Sequence, residues 1–445
     1  MFLRRLTLEN IRSIEALTLD FSGGHEGRQW TYLLGENGTG KSSVLKAIAL
    51  VMAGSESIYD LVRNPDEWIR LGEVNARIAV DFATQAGEVR HAEVAFSRGA
   101  KVGEFIKRNT ESLERVDRAV AKSERNYFVV GYGVVRHALG PSARSTALEA
   151  MPRSSAPRTR AVSTLFNLDT ALVSLEGWAM DLEYRRGPQG LSAVQSALDK
   201  LLPDVRFSRI DREERRLLFE TPDGELPLSA LSDGYQAMAA WCGDLLFQIT
   251  ENFQDYRDPL MARGLLLVDE IDLHLHPVWQ RRLVSFIKET LPNVQVVVTT
   301  HSPLTIHQAD EGELFVLRRV GPRGAALFPY QGAPNRLMLH QLLASPLFGL
   351  ETLDSPQVEE ARDELRSLTG VGADPAPASD ATRHRIAALK NVLSDVPSWR
   401  QARPGLERTN SVLEEVTREL ARVTGRNIGV EDVARGPDDG PLSST

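Results

Sequence analysis

The sequence predicts an α/β protein with a mixed sheet, an inserted helical lobe and a C-terminal helical region. Three observations lead to this prediction. Short apolar strands alternate with a helical pattern over residues 264–299, which is typical of a parallel sheet. The N-terminal segment alternates apolar and polar residues with period two, which indicates antiparallel strands. After about residue 335 the apolar spacing becomes mostly helical.

The composition is that of an ordinary globular chain. The 445 residues include 42% hydrophobic and 25% charged side chains, and the formal net charge is −8. This acidic balance argues against a chain that binds nucleic acid through its whole surface. The single cysteine, Cys242, excludes an internal disulfide and a CxxC metal site, and it favours a cytoplasmic setting. No apolar run approaches the roughly 18 residues of a membrane helix, so no membrane partner is expected.

In the N-terminal part, the patterns predict strands and helices in close succession. Strands are predicted at 2–8, 15–21, 30–34, 76–84, 89–97 and 127–133. Helices are predicted from about Lys41 to Met52 and, as a charged surface helix, over 111–125. Residues 137–162 lose periodicity and are rich in Ser, Ala and Pro, which indicates a loop or insertion.

The remainder alternates at first and then becomes helical. Strands are predicted at 205–210, 215–220, 226–228, 264–268, 294–299 and 313–319. Helices are predicted at 170–185, 191–201, 232–250, 278–290, 335–344, 356–368, 381–395 and 406–424. We therefore divide the chain into a head (1–135 and 205–334), an insertion (136–204), a helical lobe (335–433) and a disordered tail (434–445).

A glycine-rich turn, GENGTGKS at residues 35–42, joins a predicted strand to a predicted helix and fits GxxxxGK[ST]. Its glycines let backbone N–H groups surround phosphate oxygens, and the helix N-terminus adds positive potential. We expect Lys41 to reach the β- and γ-phosphates of ATP and Ser42 to bind Mg²⁺. The predicted nucleotide contacts are Gly35, Asn37, Gly38, Thr39, Gly40, Lys41, Ser42 and Ser43. A turn that only caps the helix is the structural alternative.

Residues 264–270, GLLLVDE, place two carboxylates at the end of an apolar strand. Ligands bind at this end of the strands in open α/β sheets. We expect Asp269 to hold Mg²⁺ through water, and Glu270 to orient or deprotonate the attacking water, with Lys41 as a second catalytic residue. A strand that ends in a solvated acidic turn is the alternative. The presence of the glycine-rich loop favours the functional interpretation.

Two further motifs follow from position. The strand at 294–299 leads to His301, and a histidine at a strand end near the γ-phosphate can act as a polar switch in catalysis. Residues 231–236, LSDGYQ, precede a long helix, and Ser232 is a suitable N-cap. The functional interpretation is that this capped helix end also points at a phosphate.

Taken in order, GENGTGKS, LSDGYQ, LLLVDE and TTHSP resemble the ABC-type P-loop ATPase head. The opening LRRLTLENIRSIEALTLDF is similar to that of SMC, RecF and OLD-type proteins, and DEIDLHLHP resembles the Walker B and D-loop of their compact relatives. The resemblance covers about residues 1–55 and 205–320. It implies two heads that pair around two ATP molecules, with Ser232 and Gly234 on the ATP of the opposite protomer. It also implies that Asp272 is the D-loop acid and that Arg12 contacts nucleotide.

The chain departs from the larger relatives in several respects. Only about 180 residues separate Ser42 from the signature, so no long coiled-coil arm fits. There is no clear Q-loop glutamine, and GYGVVR at 131–136 occupies about its position. Residues 335–445 lack the acidic DxD cluster of a Toprim nuclease. Residues 341–350 are similar to compact AAA_21-like ATPases of the PtuA type, which act beside a separate effector in anti-phage defence.

The leading hypothesis is a cytoplasmic ATPase that forms a homodimer or larger assembly and controls a separate, nuclease-like effector. A RecF-like repair ATPase that binds DNA, and a scaffold that binds ATP with little turnover, are the alternatives. Nucleic acid is a further candidate partner, because residues 136–160 contain five arginines and one acid. A solvated insertion is the alternative for that loop. In the lobe after residue 335, apolar side chains such as Leu342 and Phe348 are expected to be buried against the head, a second protomer or the effector.

Overall fold

The computed structural model describes residues 1–23, 27–84, 87–122, 127–136, 156–202, 205–252, 259–273, 275–321, 324–350, 352–369 and 380–394. The chain divides into two compact units, Met1–Gly349 and Leu350–Thr445. The described part of the first unit contains three β-sheets and nine helices, and that of the second unit contains two helices.

The N-terminal sheet is antiparallel, with the strand order β2-β1-β4-β5. Its strands are β1 (Phe2–Ile11), β2 (Ile14–Asp20), β4 (Asn75–Ala83) and β5 (Val89–Ser97). The central sheet has the order β13-β12-β3-β11-β10-β6, and it is parallel except for β13. Its strands are β3 (Trp30–Gly35), β6 (Tyr127–Tyr132), β10 (Arg263–Val268), β11 (Val294–Thr300), β12 (Leu314–Arg319) and β13 (Ala325–Pro329). A small antiparallel sheet contains β7 (Arg206–Asp211), β8 (Arg216–Thr221) and β9 (Gly224–Pro227).

The described residues form eleven α-helices, which belong to the two units as follows. In the first unit they are α1 (Lys41–Met52), α2 (Ile58–Leu61), α3 (Val102–Lys122), α4 (Pro157–Val162), α5 (Leu175–Leu201), α6 (Asp233–Asn252), α7 (Pro277–Thr290), α8 (Pro303–Ile306) and α9 (Leu339–Leu343). In the second unit they are α10 (Pro356–Thr369) and α11 (Asp380–Ser394). Among the described residues, no helix is long and apolar enough to cross a membrane.

The central sheet is apolar on both faces. Along β10, Leu265 and Leu267 face a core shared with α1 and the N-terminal sheet, whereas Leu266 and Val268 face a core shared with α5, α6 and α7. A strand covered on both faces reads as a continuous apolar run, which is why the central strands do not alternate in sequence. Ten of the twelve residues of α1 are buried, so the helix after the glycine-rich turn is held firmly against the sheet.

The structure confirms the mixed α/β class, the antiparallel N-terminal pair and the bounds of α1. The predicted start of one helix was wrong. Helix α3 begins at Val102 rather than 111, because Phe105 extends its buried face. The break predicted between the helices at 170–185 and 191–201 is confirmed, because Gly187, whose φ is 66°, interrupts the run Leu175–Leu201. Strand β13 was not predicted.

The predicted insertion and the apolar side chains after residue 335 both contribute to the core of the head. The predicted insertion contributes Leu175, Trp178 and Leu182 to the same core as the central sheet, so α5 packs on the head. Leu342 is buried in that core, and Leu347 and Phe348 pack against it. Of the three surfaces predicted to cover these apolar side chains, the head is therefore the one that they contact. The predicted helix at 406–424 and the tail at 434–445 lie outside the described residues. The boundaries at 136, 205 and 335 stay predictions.

Candidate functional site

The glycine-rich loop lies at the carboxyl end of β3, next to the carboxyl ends of β11 and β12. Gly38 and Gly40 have φ values of 76° and 102°, which lie in the left-handed region that favours glycine. A Cβ atom on Gly35 would collide with the carbonyl oxygen of Leu317. The loop therefore needs glycine at these positions, and it delivers the chain to the N-terminus of α1, which favours anions.

Lys41 is buried at the first position of α1, and its ammonium group points back into the loop. Its Nζ donates hydrogen bonds to the carbonyl oxygens of Gly35 at 2.7 Å and Glu36 at 3.0 Å. The Thr39 hydroxyl donates to the same Glu36 oxygen at 2.8 Å. Burial lowers the pKa of Lys41, and the negative charges of Asp269 and Glu270 oppose that shift. The loop cation and the acidic pair therefore share one electrostatic environment.

The acidic pair follows β10 directly, and Thr299 on the neighbouring β11 holds both residues. The Thr299 hydroxyl donates to Asp269 Oδ1 at 2.6 Å and accepts the backbone N–H of Glu270 at 2.7 Å. Asp269 is only 5% exposed. The charge of Asp269 acts on Lys41 at the start of α1, and Ser42 is the next residue of that helix. A carboxylate and a hydroxyl are oxygen donors, which Mg²⁺ prefers. The residues present therefore fit a magnesium ion.

Glu270 has a left-handed backbone, with φ at 48°. For a residue with a Cβ, this conformation costs about 1–2 kcal/mol. The guanidinium of Arg136 offsets the cost, because its Nη2 donates to the carbonyl oxygens of both Asp269 and Glu270, the latter at 2.5 Å. Hydrogen bonds that involve a charged group contribute roughly 1.5–3 kcal/mol each, which exceeds the cost of the strained backbone.

Arg136 itself is fixed by its surroundings. Its Nε donates to the carbonyl oxygen of Gly133 at 3.0 Å, and its guanidinium lies 5.9 Å from the ring centre of Trp241 on α6. Burial lowers the pKa of Arg136 to about 10, against the opposing charges of Asp269 and Asp272. The side chain thus stays cationic at neutral pH, and it connects β6, α6 and the acidic turn.

The structure places three of the five arginines in the predicted basic loop at 136–160, whose contact with nucleic acid stays a prediction. Arg136 is engaged in the acidic turn, and Arg158 forms an ion pair with Asp117 at 2.7 Å. Arg160 is exposed on α4. Arg144 and Arg153 lie outside the described residues. At least two of the five arginines therefore have structural roles within the head.

His301 and Asp272 lie around the end of β11. The Thr300 hydroxyl donates to Asp272 Oδ1, and burial raises the pKa of this carboxyl group. His301 follows Thr300 directly and is exposed, though not completely. The partial burial of its ring lowers its pKa most, and the positive charge of Lys41 lowers this pKa further. A histidine with a lowered pKa is neutral at pH 7, so it can exchange a hydrogen bond with a ligand without adding charge.

Arg12 lies in the turn between β1 and β2, which packs against the glycine-rich loop. A Cβ atom on Gly40 would lie 2.9 Å from Ser13 Oγ, so this turn closes one side of the loop. The Arg12 guanidinium lies 4.9 Å from the ring centre of Trp68 and donates to the Glu67 carbonyl oxygen at 3.3 Å. Its predicted contact with nucleotide stays a prediction.

The signature segment lies at the start of α6. Ser232 immediately precedes this helix and is exposed, and Gly234 lies in the first turn. Gln236 Nε2 donates to the Leu231 carbonyl oxygen at 2.7 Å, which fixes the entry to the helix. Within the described ranges, no hydrogen bond joins Ser232 to the glycine-rich loop. The structure therefore brings together Lys41, Asp269, Glu270, Asp272 and His301, and it does not add Ser232 to them.

Sequence reasoning missed four residues that position this site. They are Arg136, Thr299, Thr300 and Arg319. Arg319, at the end of β12, places Nη2 3.5 Å from the Gly38 carbonyl oxygen. The paired threonines before His301 were a usable signal, because hydroxyls at a strand end can bind a neighbouring turn. Arg136 and Arg319 had no such local signal.

Replacing Arg136 by methionine should lower the rate of ATP hydrolysis about 10- to 100-fold, because Glu270 loses the contacts that hold its backbone in place. ATP affinity should change little, since Arg136 does not touch the glycine-rich loop through any described hydrogen bond. Arg158→Met is the matched control, because it removes an arginine paired with Asp117 rather than with the acidic turn. Steady-state phosphate release, nucleotide titration and thermal unfolding distinguish the two. An unchanged kcat in Arg136→Met contradicts the positioning role.

Comparison with known proteins places these features in a family context. Residues 31–307 match the AAA_21 family, described as "AAA domain, putative AbiEii toxin, Type IV TA system". The chain is 27% identical over 396 residues to the Septu protein PtuA of Bacillus mycoides, covering 88% of this chain and 50% of that protein. It is 24% identical over 408 residues to the Retron Ec83 probable ATPase of Escherichia coli, covering 75% of this chain and 74% of that protein. This chain thus spans about half the length of the PtuA relative.

The comparison with solved structures gives a partial superposition. The SMC head domain from Thermotoga maritima matches with a TM-score of 0.42 and 18% sequence identity, covering 74% of this chain and 100% of that one.

Proposed function

Because this chain belongs to the AAA_21 family, we propose that it is a Mg²⁺-dependent ATP hydrolase whose site is formed by Lys41, Asp269 and Glu270. One observation carries the proposal. A lysine at the start of a glycine-loop helix shares its electrostatic environment with two carboxylates at the end of a buried parallel strand. This combination of a phosphate cradle and an acidic pair serves phosphoryl transfer.

The residues of the chain divide the work. The backbone N–H groups of the glycine-rich loop and the Lys41 ammonium bind the β- and γ-phosphates, with Lys41 exchanging its loop carbonyls for phosphate oxygens. Ser42 and Asp269 would hold Mg²⁺, which when bound neutralises phosphate charge. Glu270 orients or deprotonates the attacking water, and Arg136 and Thr299 hold its backbone in place. His301, neutral at pH 7, senses the γ-phosphate through a hydrogen bond.

The proposed biological role is control of a separate, nuclease-like effector in anti-phage defence by a homodimer that binds ATP between its heads. Relatives called Septu protein PtuA and Retron Ec83 probable ATPase support a defence role. The exposed Ser232 at the start of α6 supports a dimer, because it leaves the signature available to a second protomer. Among the described residues, no group of three His, Cys, Asp or Glu side chains could hold a metal ion for nuclease chemistry.

A RecF-like repair ATPase is the second candidate, and it differs in needing DNA across its dimer. An ATP-binding scaffold is disfavoured by Glu270, because hydrolysis needs a carboxylate positioned to activate water whereas ATP binding alone does not. Stimulation of ATP hydrolysis by duplex DNA alone would favour the repair role over effector control.

The purified chain should hydrolyse ATP and leave DNA and RNA intact. Phosphate release and gel assays of nucleic acid integrity, run on one preparation, measure both activities. The Lys41→Ala protein prepared in parallel excludes a contaminating ATPase, because it lacks the cation that binds phosphate. Cleavage of nucleic acid that is lost on mutating residues within 335–445 would show that the effector is part of this chain. Absence of ATP hydrolysis in the wild type would contradict the proposed enzyme.

A further inference from the structure

The outer edge of the N-terminal sheet is partly covered by α3. Strand β5 is the edge strand, and α3 runs along it in place of a further strand. Ser112 Oγ accepts the backbone N–H of Glu93 at 2.8 Å. Asn109 Oδ1 accepts the backbone N–H of Ala95 at 2.8 Å, and its Nδ2 donates to the Ala95 carbonyl oxygen at 3.0 Å. Side chains of α3 thus form hydrogen bonds with the outward backbone groups of this edge strand at Glu93 and Ala95.

The hydrogen bonds from α3 to this edge end at Glu93, although the helix continues to Lys122. Backbone groups of alternate residues point to the same side of a strand, so those of Val89 and His91 face outward like those of Glu93 and Ala95. In the part of the chain that the structure describes, no hydrogen bond crosses the edge at Val89 or His91. The Val89 side chain is 62% exposed. An open strand edge of this kind is a ready template for another extended segment.

A shallow basic cavity, open to solvent, lies beside this edge. It has a volume of about 620 Å³ and is lined by Arg90, His91, Arg115, Arg118 and Ala121. Arg90 pairs with Glu88 at 2.9 Å, and His91 contacts Asp81 at 2.7 Å. Arg115 and Arg118 are exposed one helical turn apart on α3, and neither forms an ion pair with a described residue. Two guanidinium groups are therefore available to an anionic ligand.

We propose that this edge, the open segment Val89–His91 with Arg115 and Arg118, binds an extended acidic peptide segment of a partner protein. A peptide supplies N–H and C=O groups that match the outward backbone of Val89 and His91, and its carboxylates match the arginine forks. A nucleic acid backbone supplies acceptors for the arginines but no regular donors for the strand carbonyls. The site lies on the N-terminal sheet, so it stands independently of the proposed ATPase activity.

The test uses the full-length chain and a fluorescein-labelled octapeptide of alternating glutamate and valine, followed by fluorescence anisotropy. Wild type should bind saturably, and Arg115→Glu with Arg118→Glu should weaken binding at least about tenfold, since two charge-assisted contacts are lost. Lys107→Glu with Arg108→Glu is the matched control, because it makes the same charge change on α3 outside the cavity lining. The control should bind within about twofold of wild type. No saturable binding by wild type, or equal losses in both double variants, overturns the proposal.

A second variant separates strand pairing from charge alone. Val89→Pro removes an outward N–H without changing charge, and proline is tolerated where an edge N–H faces solvent. We expect it to weaken the peptide about three- to tenfold, consistent with the loss of one hydrogen bond. A single-stranded DNA dodecamer is the competitor. If DNA displaces the peptide and Val89→Pro has no effect, the cavity is a phosphate site and the peptide proposal is wrong.

Discussion

Replacing Glu270 by glutamine should slow ATP hydrolysis by about 10²–10⁴-fold, the usual cost of losing a positioned base. The amide keeps the size of the side chain but cannot accept a proton from water. The backbone contacts of residue 270 with Thr299 and Arg136 do not involve the side chain, so the turn should persist. ATP binding should remain, because the glycine-rich loop and Lys41 are unchanged. Single-turnover phosphate release and nucleotide titration measure the two properties separately.

Lys41→Ala provides the contrasting result. It removes the ammonium group that bonds to the loop carbonyls of Gly35 and Glu36, and with it the cation for the phosphates. ATP binding itself should then be lost, so no hydrolysis follows. If Glu270→Gln hydrolyses ATP at the wild-type rate, the assignment of the base is wrong, whatever Lys41→Ala does.

The parts of the site that depend on neighbours in sequence could be predicted. The loop at residues 35–42 and helix α1 occur where the pattern placed them, because glycine is needed at the φ values of Gly38 and Gly40. The position of the acidic pair is also a local feature. A buried strand consists of apolar residues, so β10 ends where Asp269 and Glu270 begin. Periodicity and turn chemistry determine such features within a few residues.

The parts that depend on sheet topology could not be predicted. Arg136 reaches Glu270 because β6 is the neighbour of β10, although the two residues are 134 positions apart in the chain. The arginine-rich composition of residues 136–160 suggested a nucleic acid contact for Arg136 instead. Counting arginines does not reveal which of them find buried carbonyl partners, since that depends on packing.

Gln295 illustrates the same limit in the core. A glutamine inside an apolar strand suggests an exposed position, yet it is 1% exposed. Its side chain accepts the Leu3 N–H at 2.7 Å and donates to the Arg28 carbonyl oxygen at 3.0 Å. It thereby joins the central sheet to the N-terminal sheet. A buried amide of this kind follows from the need to satisfy backbone groups between two sheets, which no local pattern shows.

Helix α6 connects two parts of the same chain: the signature, which a second protomer would contact, and the surroundings of the acidic turn. The signature residues Ser232 and Gly234 are at its start. Further along, Asp244 accepts the Tyr132 hydroxyl at 2.7 Å, and Trp241 lies under the Arg136 guanidinium. A phosphate bound at Ser232 would therefore act on a helix that is fastened to β6 and to Arg136. This arrangement motivates a direct test of composite sites.

Lys41→Ala and Ser232→Arg proteins should each lack ATPase activity, and an equimolar mixture should regain about a quarter of the wild-type rate. In a symmetric dimer, half of the randomly mixed pairs are heterodimers, and each has one site with an intact Lys41 and an intact Ser232 from opposite protomers. Phosphate release after mixing measures the recovery, and native mass spectrometry measures the heterodimer fraction.

Mixing Lys41→Ala with Glu270→Gln is the control, because both changes affect the same half of each site. In that pair, the site with intact Lys41 always has the defective base, so it should show no recovery. If heterodimers form and Lys41→Ala with Ser232→Arg stays inactive, or if a dilute monomer is fully active, the composite site is refuted.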